Sequence, residues 1–128
     1  MTFRETLDKH LRAIRDRDLK ALAETLPDDR LVLIMSDGRL VRSAQEFLDL
    51  HRGWFESTTW ALDARPVELT ETPDLAVAVL HLDYRDRPPG GAPIHETSYL
   101  TLVFARSGER WVMVHDQNTP VKRPAGQG

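Results

Sequence analysis

Helical periodicity is confined to the first 57 residues of this chain, and from Thr59 to Thr119 the residues alternate in the manner of strands. That segregation constrains the fold more than any other feature. Helices gathered first, with long strands afterwards, specify an α+β domain in which a curved antiparallel sheet wraps the helices. Four long strands are read: Trp60 to Leu69, Leu75 to Arg85, Ile94 to Arg106 and Arg110 to Thr119. Pro66 marks a bulge or edge position in the first of them. Pro88-Pro89-Gly90-Gly91-Ala92-Pro93 and Ser107-Gly108 supply turns between the last three.

The helical part carries its own punctuation. Thr2 and Glu5 form a capping box before Phe3, Leu7, Leu11 and Ile14, which recur at helical spacing. Asp18 caps a short second helix that Pro27 ends. Arg30 to Met35 is an apolar run turned by Ser36-Asp37-Gly38 into a short hairpin. Ser43 and Glu46 make a second capping box, opening a helix whose Phe47, Leu50, His51, Trp54 and Phe55 share a stripe. Residues 1–120 read as one domain, and 121–128 as a polar, mobile tail.

Composition excludes several classes. Cysteine is absent, which removes thiolate catalysis, disulfides and cysteine metal sites. The 17 Lys+Arg against 20 Asp+Glu give a net charge of −3 in mixed sign, so no basic face for nucleic acid or anionic lipid stands out. No apolar run is long enough for a membrane or signal segment, and the chain reads as cytoplasmic. Phosphate loops, nucleophile elbows and histidine spacings typical of zinc sites are missing, so neither cofactor nor metal is expected.

The last strand turns from apolar to polar halfway along. Alternation places Trp111, Met113, His115 and Gln117 on one face and Val112, Val114, Asp116 and Asn118 on the other. With Ser107-Gly108 as a two-residue loop, Phe104 opposes Trp111, Leu102 opposes Met113, Leu100 opposes His115 and Ser98 opposes Gln117. The Pro-Gly turn then adds Leu80, Leu82 and Tyr84, with Glu96, to the same inner face. A pocket wall so composed holds an apolar ligand against Leu100, Leu102, Trp111 and Met113 and presents His115 and Gln117 near its mouth.

Each candidate has a plainer reading. His10 and His51 lie on inward helical stripes, as pocket groups or as satisfied core histidines. Tyr84 and Glu96 belong either to the site, with Glu96 paired to His115 or His51, or to a solvated rim. Trp54, Trp60 and Trp111 are core anchors that share in the pocket wall. Asp116 and Asn118 serve strand-end hydrogen bonds on the opposite face. That face, with Val77, Val79, Tyr99, Val103, Val112 and Val114, is too apolar for a monomer surface and predicts a homodimer.

The element order resembles the nuclear transport factor 2-like superfamily, including small bacterial SnoaL-like and ketosteroid-isomerase-like proteins and the association domain of calcium/calmodulin-dependent protein kinase. The residues that carry the likeness are Leu26-Pro27-Asp28-Asp29, Ser36-Asp37-Gly38 and Gly108-Glu109-Arg110-Trp111 to His115. The resemblance implies a cystatin-like, cone-shaped roll with a cavity at its wide end and a sheet face used for dimers. The base that ketosteroid isomerases carry on the first strand falls among Leu33, Ile34 and Met35. Their helix tyrosine falls near His10, and no acid stands at Leu100 to Leu102. Of the kinase domain's two final-strand histidines, the first matches His115 and the second Gln117, while its pocket arginines fall at Leu80 and Leu102.

These readings converge on a homodimeric protein that binds a small, largely apolar organic molecule. Proton transfer of isomerase or cyclase type through His115, without a cofactor, is the accompanying chemistry. The alternative is a non-catalytic assembly or accessory module with a vestigial cavity.

Overall fold

The computed structural model describes residues 1–121, so the expected tail lies, but for Val121, outside the described residues. Helix α1 (Phe3–Arg15) begins with the expected capping box: Thr2 Oγ1 accepts from the Glu5 N–H at 3.1 Å, and Glu5 Oε1 accepts from the Thr2 N–H at 2.9 Å. Its stripe buries Phe3, Thr6, Leu7, His10, Ala13 and Ile14. Arg17 takes a left-handed backbone, φ 56°, and turns the chain into α2 (Leu19–Ala23), capped by Asp18, which accepts from the Ala21 N–H at 3.0 Å.

Strand β1 (Arg30–Ile34) returns as β2 (Leu40–Ser43) through a turn in which Gly38 supplies φ 91°. Ser43 then accepts from the Glu46 N–H at 3.1 Å and starts α3 (Ala44–Phe55). Strands β3 (Trp60–Glu71), β4 (Leu75–Asp86), β5 (Ile94–Ser107) and β6 (Arg110–Pro120) follow. The six strands form one sheet in the order β2-β1-β6-β5-β4-β3. Strands β3 to β6 are an antiparallel meander, whereas β1 joins β6 in parallel, with Val32 beside His115 and Leu33 beside Asp116.

Across β4 and β5 the register is the one the alternation predicts. Tyr84 pairs with Glu96, Leu82 with Ser98, Leu80 with Leu100 and Ala78 with Leu102. In β3 the pairing jumps from Pro66–Leu80 to Glu68–Val79, so Val67 is an extra residue and the proline sits at a bulge, as expected. The concave face receives the helices. Leu22, Phe47, Leu80, Leu102, Phe104 and Met113 are fully covered there, and Phe3 meets Phe104 edge-on at 5.5 Å.

The β5–β6 register departs from expectation. Ser107 pairs with Arg110, so the turn is Gly108-Glu109, with Gly108 at φ 64°, and Phe104 opposes Met113 rather than Trp111. Parity survives that shift, which is why Trp111 still packs inward, 5.9 Å from Phe3, and Met113 stays buried. Beyond Met113, however, Val103 pairs with His115, leaving Val114 as one extra residue in β6. The Met113 N–H bonds the Thr25 carbonyl at 2.8 Å. A single extra residue reverses every later side chain. Leu102 therefore opposes Asp116, Leu100 opposes Asn118 and Ser98 opposes Pro120. His115 and Gln117 share the outer face with Val103 and Thr101.

Candidate functional site

At the wide end of the cone a cavity of about 560 Å³ lies between α3 and the ends of β3 to β6, bounded by Trp54, Leu62, Leu82, Tyr84, Ser98 and Asn118. Its aromatic wall is built from two elements. Trp54 of α3 stacks on Trp60 of β3 at 4.0 Å and 16°, and the Trp60 indole donates to the Trp54 carbonyl at 3.0 Å. The Arg17 guanidinium lies 3.9 Å over Trp60 and bonds the Ser57 and Trp60 carbonyls, fixing the stack from behind. Tyr84 completes the wall and donates to Asp86 at 3.2 Å, while the Thr59 hydroxyl donates to the other Asp86 oxygen at 2.6 Å.

Of the residues singled out in the sequence, Trp54, Tyr84, Glu96 and Ser98 line this cavity. Glu96 is exposed and bonds neither His51 nor His115, as the rim reading had it. Leu100 borders a second cavity, and Leu102 and Met113 are core. Trp111 packs on Phe3, away from the mouth. His115 and Gln117 are corrections: both point outward, with His115 Nε2 3.1 Å from Gln117 Oε1.

In their place the bulge brings Asp116 and Asn118 inside. Asp116 is 5% exposed, between Leu102 and Leu33, and Asn118 donates to it at 3.4 Å while lining the cavity. Burial pushes the Asp116 carboxyl up to about 7. Strict alternation assigns both residues to the wrong face. A buried carboxyl near neutrality has the protonation balance that general acid–base chemistry needs.

The two inward histidines are both buried beneath the site. Thr25 donates its hydroxyl proton to the Leu22 carbonyl at 2.7 Å, so its oxygen accepts from His10 Nδ1–H, also at 2.7 Å. His10 Nε2 is then a buried acceptor without a partner among the described residues. Burial, with a smaller contribution from His51, drives the His10 imidazole down to about 3. His51 donates from Nδ1 to the Phe47 carbonyl at 2.7 Å and stacks on the Phe47 ring at 4.0 Å; burial lowers it to about 4. Both rings are neutral at physiological pH, so neither offers the site a charge.

Solved structures of this shape are numerous. A candidate calcium/calmodulin-dependent protein kinase type II association domain from Thiobacillus denitrificans is 17% identical, with 94% of this chain and 96% of that one covered at a TM-score of 0.79. A nuclear transport factor 2-like superfamily protein from Salmonella enterica serovar Typhimurium is 20% identical, covering 97% and 92% at 0.77. A ketosteroid isomerase-like protein from Erwinia carotovora atroseptica is 15% identical, covering 94% of each chain at 0.76. These likenesses establish the fold. No curated protein matches the sequence. The model of the SnoaL-like domain matches residues 4–120, and the chain belongs to that family.

Proposed function

We propose that this chain binds a small, largely apolar organic molecule in the mouth of the cone and that Asp116, not His115, is the group that exchanges a proton with it. The observation that carries this reading is the side-by-side placement of the buried Asp116 carboxyl and Asn118, whose amide lines the cavity. The aromatic wall of Trp54 and Tyr84 supplies apolar contact, and Ser98 and Asn118 supply orientation. Proton transfer by Asp116 without a cofactor is chemistry of isomerase, cyclase or dehydratase type. The test is a thermal-shift screen of small aromatic and isoprenoid-like compounds against the wild type, Asn118→Ala and Asp116→Asn. At least one compound raises the wild-type midpoint, less so in Asn118→Ala, with the shift changing across pH 7 only where Asp116 is present. A screen in which nothing binds, or binding indifferent to both substitutions, overturns the proposal.

One observation favours self-association as well. Over the middle of the sheet the outward positions are Val77, Val79 and His81 on β4, Tyr99, Thr101 and Val103 on β5, and His115 and Gln117 on β6. None of these is Asp, Glu, Lys or Arg in a chain 29% charged, and the ion pair of Asp83 with Arg85 follows on the same face of β4. A second copy packed on this face removes it from water, giving an isologous homodimer that leaves the cone mouth free.

A further inference from the structure

We propose that the mouth cavity is one end of a longer site, continued by a second cavity on the flank of the cone, and that the ligand is correspondingly long: an apolar chain with its polar end at Asn118 and Ser98. The inference rests on the pocket reading above and adds the shape of the occupant. The flank cavity, about 330 Å³, lies between α1 and β3, with Leu7, Leu11 and Ile14 on one wall and Ala64, Pro66 and Leu69 on the other. Leu62 and Leu82 border both cavities. Two neighbouring leucines, one on β3 and one on β4, thus form part of the boundary of each cavity.

The fold explains why the flank is open. The extra residue Val67 bends β3 beside Pro66, and a bulged strand turns away from its neighbours. From Leu62 to Leu69 the wall runs alongside six steps of β4, about 20 Å at roughly 3.3 Å per residue, longer than a single-ring ligand in the mouth would need. At the outer rim each cation already has an anion: Arg12 with Asp8, Arg15 with Asp16 at 3.3 Å, and Arg4 with Glu71 at 2.9 Å. That rim therefore offers no free cation to an anionic group. The polar end of the ligand belongs at the mouth, and its apolar body extends past Leu62 and Leu82.

The experiment is calorimetric titration of para-alkylphenols, from ethyl to nonyl and below their aggregation limits, into the wild type, Ala64→Phe and Leu69→Trp. Both substitutions fill the flank and leave the mouth residues untouched. In the wild type the Kd falls roughly fourfold per added methylene and goes on falling to nonyl. In the variants ethylphenol binds as before and the gain stops at short chains. Wild-type affinity that levels off at short chains while ethylphenol binds overturns the continuous site and leaves the mouth reading standing. Binding of none of the phenols by the wild type overturns both. The wild-type series decides the matter even if a variant does not fold.

Discussion

The β4–β5 and β5–β6 pairs carry similar sequences and make opposite points. Both are long antiparallel ladders of alternating apolar residues, closed by glycine-containing turns. Along β4–β5 the alternation holds to the end, and each inward residue is the one that counting places there. Along β5–β6 one extra residue, Val114, divides β6 into a half that obeys the count and a half that inverts it. The inverted half is the one that reaches the cavity. The bulge thereby exchanges an imidazole and Gln117 for a carboxyl and Asn118.

Removing the difference is the harshest test. Deleting Val114 restores strict pairing with His115 still opposite Val103 and Asp116 still inward, but the straightened strand leaves the Thr25 carbonyl that the Met113 N–H bonds, so stability drops by about 2–3 kcal/mol. One glycine added to the 88–93 turn of the partner hairpin costs about 1 kcal/mol or less, because loop length enters only logarithmically. Urea unfolding midpoints of the two variants separate these outcomes. Equal losses would show that the bulge carries no special role.

Asp116→Asn sharpens the same point at smaller scale. In the folded chain the carboxyl holds its proton up to about pH 7, while the unfolded carboxyl releases it near 3.8. Raising the pH between those values therefore favours unfolding, by up to about 4 kcal/mol in total. At pH 8 Asp116→Asn is more stable than the wild type by a sizeable part of that, and any proton-transfer activity is lost. A variant less stable at pH 8 assigns Asp116 a structural bond instead.

The helical side of the core gives the opposite slope. His10 and His51 stay neutral down to about 3 and about 4, whereas the unfolded imidazoles take up protons below 6.5, so stability falls as the pH drops through 6.5. Between about pH 4 and 6.5 two histidines oppose one aspartate, a net loss of about 1.4 kcal/mol per pH unit on acidification. Above 6.5 Asp116 acts alone in the other sense. Unfolding midpoints measured from pH 4 to 9 peak near 6.5, and the limb above the peak flattens in Asp116→Asn.

Substitutions on the outer face have the smallest effect on the fold. His115→Gln changes stability by about 0.5 kcal/mol or less and leaves ligand binding intact. Val103→Glu leaves the monomer folded but halves the mass seen in sedimentation at micromolar concentration. A monomeric wild type would remove the dimer.

The helix caps at Thr2, Asp18 and Ser43, the bulge at Pro66 and the β4–β5 face were legible because each rests on a local rule: a side-chain acceptor three residues ahead of a free N–H, a proline that cannot donate, a period of two. The inward placement of Asp116 and Asn118 was not. No proline or glycine marks the bulge at Val114, and its cause is tertiary: β1 lies alongside β6, and the Met113 N–H bonds the Thr25 carbonyl. The parallel β1–β6 pairing was invisible for the same reason, since turns report only sequential neighbours. Of the inner-face residues, those on β4 and β5 followed from counting, and those past the bulge did not.

The pairing of β1 with β6 also sets a timetable. Residues 32–34 meet their parallel partner, at 115–117, only after three long strands have been made. Until then β1 has a bonding edge with nothing on it, in a short apolar segment of the kind that recruits other chains. Contacts so distant along the chain are slow to form, and a nascent chain is exposed to misassembly while it waits. The strand that supplies Asn118 to the cavity, with Asp116 buried behind it, is thus also the one that ends this window, joining the β1–β2 hairpin to the rest of the sheet.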